Sequence, residues 1–254
     1  MNLFRCSSLH HIMTDPKNKA DKEAGLLSKT AQTYLDEFIF SHKYGREKIF
    51  SNKYTDKGIE IEDLGIHLLN QVHKKFYKKN TVRYSNSDIT GEPDIVDKDI
   101  IIDIKTCYDW TTFIAKNDIP KEYYWQLCGY CLLTGKTKGA IAYVLNNTPF
   151  HLVENEFVSA FYKNGRQDLS DDEKARIALN HTFSDKWVKD FEVVDGYWEM
   201  IKNQFPETDL EFIEIPQEKR LRYYEVEFTD KDFEKLESQI QKAITYIEDN
   251  YNRF

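Results

Sequence analysis

The spacing of apolar residues changes along the chain, and each change predicts a different element. Residues 27–42 carry apolar side chains at helical spacing, and Gly45 is placed to end that helix. Ser7 or Ser8 can cap a shorter helix running through Met13. After a polar connector at residues 51–57, Leu64, Leu68, Val72 and Phe76 recur every four residues with Leu69 alongside, which predicts one long helix over residues 58–78. Short apolar runs at 81–85, 93–96 and 99–106 then read as strands. A helix at 121–133 and a strand at 139–145 follow. Ser170 and Glu173 form a capping box for a helix over 171–181, and residues 187–203 read as helical too. A strand at 221–228 leads to a closing helix capped by Thr229 and Asp232, whose Phe233, Leu236, Ile240, Ile244 and Ile247 share one face. This order predicts an α/β fold, a mixed central sheet flanked by helices on both faces.

Composition narrows the class. The 254 residues suffice for a sizeable core without covalent staples. No apolar run reaches the length of a membrane span, and the first residues lack the basic-then-apolar order of a secretory signal. Four cysteines at irregular positions suit a reducing compartment better than a disulfide framework. The expectation is therefore a cytoplasmic protein. The net charge of −8 argues against nucleic-acid binding through overall charge, but leaves room for a local basic groove. Residues 43–57 and 73–79 are basic runs with interleaved aromatics, and each reads equally well as a solvated face.

One stretch does not fit a merely structural reading. Residues 91–106, GEPDIVDKDIIIDIKT, hold an apolar run that reads as a buried strand yet carries Asp103 and Lys105. Burying charge costs several kcal/mol or more unless the charges pair or bind a metal. Side chains alternate along a strand, so Asp103 and Lys105 share a face with Ile101, while Ile100, Ile102 and Ile104 take the other. Asp94 lies nine residues before Asp103, and a hairpin of that size can bring the two carboxylates together. Their repulsion would raise one another's pKa, and a hard divalent cation would relieve it; Mg2+ takes one or two carboxylates plus waters and phosphate oxygens. Lys105 beside such a site could stabilise charge developing at phosphorus, or orient the attacking water. Glu62, in the first turn of the predicted long helix, is a candidate further ligand, though the helix dipole alone also favours a glutamate there. Gln126 and Tyr130 are four apart and share a face of an otherwise apolar helix, where they need polar partners.

These residues, in this order, resemble the PD-(D/E)xK nuclease superfamily and, within its RecB-like branch, the phage lambda exonuclease (YqaJ-type) family. FRCSSLHHIM resembles the family's N-terminal segment, GIEIE its Gly-x-x-x-Glu helix start, GEPD and DIK its two catalytic motifs, and YYWQLCGY its Tyr-x-x-Gln helix. The resemblance implies one nuclease domain over residues 1–254, with 150–220 a helical insertion. It implies a restriction-endonuclease-like core and a metal-dependent DNA exonuclease acting on linear duplex ends in phage recombination or repair. Asp94 and Asp103 would ligate Mg2+, with Mn2+ able to substitute. The Ile104 carbonyl would be a third ligand, and Glu62 would bind directly or through water. Lys105 would be the catalytic lysine and Gln126 an active-site hydrogen-bonding residue. Ser7 falls on the family's phosphate-binding serine; Arg5 or Arg46 would stand in for an arginine that the family places upstream, and Tyr130 would add a phosphate contact. Glu92 departs from the pattern, since the family has a serine just before its Pro-Asp. DNA, a homotrimer and a single-strand-annealing protein are the implied partners, with no membrane.

Cys128 and Cys131 lie one helical turn apart, but the family's cluster-bearing relatives place cysteines after the core and none follows Cys131 here, which argues against an iron–sulfur cluster. Adjacent His10 and His11 point about 100° apart on a helix, a poor geometry for one ion. A RecB-like enzyme cutting single strands or flaps, a non-catalytic DNA-end-binding protein with the same fold, and a site-specific restriction enzyme remain alternatives.

Overall fold

The structure is a computed structural model that describes residues 3–46, 53–189 and 192–254. Strand β1 (Phe4–Arg5) passes through a 3-10 turn (Cys6–Ser8) into α1 (Leu9–Ile12), α2 (Lys19–Glu23) and α3 (Lys29–Tyr44). Next come α4 (Lys53–Glu60), α5 (Glu62–His73), β2 (Tyr84–Ser85), β3 (Ile89–Gly91), β4 (Ile95–Val96) and β5 (Ile100–Thr106). Helices α6 (Trp110–Ile114) and α7 (Lys121–Thr134) lead to β6 (Lys138–Val144). Residues 150–220 supply α8 (Phe150–Lys163), α9 (Asp171–Leu179), a hairpin of β7 (Trp187–Lys189) and β8 (Glu192–Val194), and α10 (Tyr197–Gln204). Strand β9 (Leu221–Glu227) and helix α11 (Asp230–Asn250) complete the order.

The central sheet runs β4-β5-β6-β9, with β5 and β6 parallel and both outer pairings antiparallel, so it is mixed as expected. A smaller sheet, β1-β3-β2, lies beside it. Alternation along β5 divides the core in two. Ile101, with Ile141 and Tyr143 of β6, packs under α1, α3, α7 and α11. Ile102 and Ile104, with Ala140, Ala142 and Val144, pack against Ile66, Leu68 and Leu69 of α5. Helices therefore cover both faces. Gly65 sets the distance of α5 from the sheet, because a Cβ there would stand 2.6 Å from Ile104 Cγ2. Glu62, one turn earlier on α5, is near enough to act electrostatically on Asp94.

Local signals explain most element ends. Gly45 and Gly135 terminate α3 and α7 in the left-handed conformation (φ 60° and 67°). Both predicted capping boxes form, Ser170 with Glu173 and Thr229 with Asp232. Ser8 precedes α1, but its side chain makes no capping bond there.

Three expectations are corrected. Residues 53–57, read as connector, are the first turns of α4; residues 51–52 lie outside the described residues. The single helix over 58–78 is two, broken at Ile61 (φ −115°, ψ 21°) and ended by Lys74 at φ 52°. Beyond it Asn70 bonds the backbone N–H and C=O of Tyr77, and Tyr77 rather than Phe76 enters the core; Phe76 is 82% exposed. The helix expected over 187–203 is a hairpin followed by α10. Asp185 accepts from the backbone N–H of Gly196 and Trp198, and Gly196 at φ 90° starts the helix there.

Residues 150–220 carry their own core, with Val153, Ala175, Ala178, Tyr197, Trp198, Ile201 and Phe205 buried together. A buried polar junction adjoins it: Lys57, 0% exposed, donates to the Tyr108 carbonyl (2.8 Å) between the rings of Tyr108 and Phe183, and Thr148 pairs with His181 (3.2 Å). Among the described residues no helix is long and apolar enough to cross a membrane.

Candidate active site

The antiparallel register of β4 with β5 pairs Ile95 with Ile102 and Val96 with Ile101. Continued by one residue, it sets Asp94 opposite Asp103. Asp94 Oδ2 accepts from the Ile104 backbone N–H at 2.6 Å. A strand residue sends its N–H and C=O to the same neighbour, so the Ile104 carbonyl also faces this edge. Lys105 Nζ lies 2.7 Å from Asp103 Oδ2 and donates to Gln126 Oε1 at 3.3 Å. Asp103 is buried, and its Oδ2 has the Lys105 ammonium as its charged partner. Gln126 Nε2 donates to Asp103 Oδ1 (3.1 Å) and to the Tyr130 hydroxyl (2.9 Å). The β5 alternation and the four-residue spacing on α7 thus converge on one network.

The electrostatics follow from burial. Desolvation, and then the Asp103 carboxylate, push the Asp94 carboxyl up to about 8; the Ile104 N–H opposes this and Glu62 adds to it. Burial alone would lower the Lys105 ammonium, but Asp103 outweighs it and holds Lys105 above the ordinary lysine range. A pair of buried, mutually repelling carboxylates fits a hard divalent cation. Among the described residues no three His, Cys, Asp or Glu side chains gather at ligating distance. Two carboxylates completed by water agree with the habit of Mg2+.

The other sequence candidates are placed as follows. Glu62 opens α5 and pairs with Lys79 (3.2 Å), which also reaches Asp63 (2.8 Å). Tyr130 is buried behind Gln126, and burial raises its hydroxyl pKa. Its ring needs Gly91, since a Cβ there would stand 2.5 Å from Tyr130 Cε1 and 2.8 Å from Cys6 Sγ. Ser7 is exposed in the 3-10 turn, and Arg5 is exposed beside Thr90 in the β1–β3 register. Arg46 follows Gly45 at the end of α3, next to Tyr44, whose hydroxyl bonds the carbonyl of Phe254. None of the contacts described for Arg5, Ser7 and Arg46 joins the carboxylate network. Glu92 is paired with Arg83 at 2.8 Å. All four cysteines are buried, and burial raises the Cys6 and Cys131 thiols to about 12. The His10 and His11 rings are 3.9 Å apart, nearer than their helical offset implies, and His11 stacks on Tyr34.

Three neighbours were given no role in the sequence reading, although Tyr123 stands in its Tyr-x-x-Gln motif. The ring of Tyr123 lies 4.5 Å from Lys105 Nζ. Asn80 donates its backbone N–H to the Asp94 carbonyl (2.7 Å), and Arg83 answers Glu92. Tyr123, one helical turn before Gln126, was legible from the i, i+3 spacing; Asn80 and Arg83 carried no such signal. A cavity of about 850 Å3 lies on the other flank of α5, lined by His67, Asn146 and Arg220, and includes none of the network residues.

A mixed sheet with helices on both faces, paired carboxylates on adjacent strands and a lysine two residues beyond the second are the arrangement that the resemblance to PD-(D/E)xK nucleases implies. Solved structures agree over the full length. A phage-related exonuclease from Haemophilus somnus 129PT superposes with a TM-score of 0.70 at 27% identity, covering 99% of this chain and 96% of that one. An alkaline exonuclease from Laribacter hongkongensis superposes at 0.58 and 14% identity, covering 99% and 90%, as does its complex with dAMP. The chain thus resembles the lambda-exonuclease-like branch, and these neighbours support a nuclease function. No family model and no curated protein matches the sequence.

Proposed function

We propose that the protein is a metal-dependent exonuclease that hydrolyses phosphodiester bonds at the ends of linear duplex DNA, in phage recombination or repair. The observation that carries this reading is the juxtaposition of buried Asp94 and Asp103 with Lys105 at a sheet edge, where burial and then the Asp103 carboxylate raise Asp94 to about 8. Asp94, Asp103 and the Ile104 carbonyl would hold Mg2+ or Mn2+, with Glu62 contributing through water. When bound, the cation supplies Lewis-acid activation and neutralises the carboxylate pair.

The chain's own groups do the rest. Lys105, its ammonium side chain 25% exposed beside a sealed Asp103, presents positive charge to a phosphate at this edge. Gln126 fixes that ammonium by accepting from it while donating to Asp103, and Tyr130 holds the Gln126 amide in that orientation. Ser7, Arg5 and Arg46 remain candidates for the terminal phosphate. We read residues 1–254 as one nuclease domain carrying 150–220 as an insertion. A homotrimer and a single-strand-annealing partner extend the same reading. Degradation of linear duplex with Mg2+, lost in Lys105→Ala while the far-ultraviolet spectrum is unchanged, tests it; full activity in Lys105→Ala sinks the mechanism.

A further inference from the structure

The stretch after α5, HKKFYKKNTVR over residues 73–83, holds five lysines and arginines and no acid in a chain of net charge −8. Its path is fixed at both ends. Lys74 turns the chain back at φ 52°, and Asn70 clamps both backbone groups of Tyr77 at 2.7 and 3.0 Å. The segment then returns beside α5 until Lys79 reaches Glu62 and Asp63. Asn80 delivers it to the carboxylates, donating its backbone N–H to the Asp94 carbonyl (2.7 Å) and its side chain to the Pro93 carbonyl (2.9 Å). Lys74, Lys75, Lys78, Lys79 and Arg83 are all exposed. Acidic groups temper three of them: Asp97 and Glu225 act on Lys75, Glu62 and Asp63 on Lys79, and Glu92 on Arg83. Phe76, 82% exposed, stands among the lysines with no core to enter.

We propose that residues 74–83 form a track for the phosphate backbone of the duplex, leading it along α5 to the Asp94–Asp103 edge, with the Phe76 ring packing on a sugar of the same DNA. This rests on the reading of the site as a DNA nuclease. Running back along a 12-residue helix, the track is about 18 Å long, or about five base-pair steps of duplex rise. Exposed lysines at that spacing bind phosphate by releasing counterions, which gives a salt signature that a shape effect does not. In a duplex the base faces are taken up by stacking, so an exposed ring beside the backbone meets the apolar face of a deoxyribose.

The test is fluorescence anisotropy of a labelled linear duplex with Mg2+, over a range of salt, in an Asp103→Asn background that does not cut. Adding Lys74→Asn, Lys75→Ala and Lys78→Ala should flatten the plot of log Kd against log salt by about two to three, and weaken binding about tenfold or more at moderate salt. Lys19→Ala, Lys22→Ala and Lys242→Ala remove the same charge from the α2–α11 side, across the sheet from α5, and should leave the slope unchanged. Phe76→Ala should weaken binding several-fold without changing the slope. If the track variant keeps the parental slope, or if the control flattens it equally, the track is wrong and the nuclease reading stands. A parent that binds no DNA at any salt overturns both.

Discussion

Replacing Asp94 by asparagine should stabilise the metal-free protein while abolishing its activity. The Asp94 carboxyl is raised from 3.8 to about 8, first by burial and then by Asp103. A carboxyl with a raised folded-state pKa favours the fold when protonated. Its contribution is therefore intact below about pH 4 and is lost as pH climbs toward 8. At about 1.4 kcal/mol per pH unit, the loss at neutral pH is at most about 4 kcal/mol. Asparagine has the same shape, can accept from the Ile104 N–H as Asp94 Oδ2 does, and offers Asp103 a donor in place of a charge. In EDTA, urea unfolding should show Asp94→Asn close to the parent at pH 4 and about 2–4 kcal/mol more stable at pH 8. Saturating Mg2+ should then stabilise the parent by about 2.7 kcal/mol at a hundredfold excess over Kd, and leave the variant unmoved. A variant no more stable than the parent at pH 8 in EDTA would refute the claim that the carboxylates repel each other in a site built for a cation.

Other perturbations probe other links. Gly91→Ala places a methyl 2.5 Å from Tyr130 Cε1, and should cost about 1–3 kcal/mol as overpacking, read by thermal unfolding. It should also slow cleavage by disturbing the Tyr130–Gln126–Asp103 chain. Lys57 is lowered by burial to about 7, so its cost to folding is full below that pH and relieved as pH rises toward 10.5. Lys57→Met should therefore gain on the order of 1–3 kcal/mol at pH 6 and lose the parent's rise in stability between pH 7 and 10. Gln126→Leu frees both Lys105 and Asp103 from their shared amide, and should lower kcat by about 10–100-fold with intact secondary structure, measured by single-turnover cleavage.

The carboxylate edge was legible because two simple rules act there without competition. Side-chain alternation put Asp103 and Lys105 on one face, and the nine-residue return set Asp94 opposite Asp103. Capping chemistry was equally readable at Gly45, Ser170 and Thr229, where a local bond decides the outcome. The long helix was misread because periodicity is blind to competitors. Val72 and Phe76 fit one stripe, yet the Asn70 clamp on Tyr77 chose a different aromatic for the core and left Phe76 in solvent. β1 and β3 are two and three residues long, too short for a period to register. The Lys105–Gln126–Asp103 network could be nominated but not assembled from sequence, since its closure depends on how α7 settles on the sheet.

The central claim, a metal-dependent exonuclease working from DNA ends, is tested most directly by giving purified protein equal amounts of linear and covalently closed circular duplex with Mg2+, beside EDTA and Asp103→Asn controls. The expected result is release of nucleotides from the linear form alone, absent in both controls. Cleavage of the closed circle, or activity surviving in EDTA or in Asp103→Asn, would contradict it.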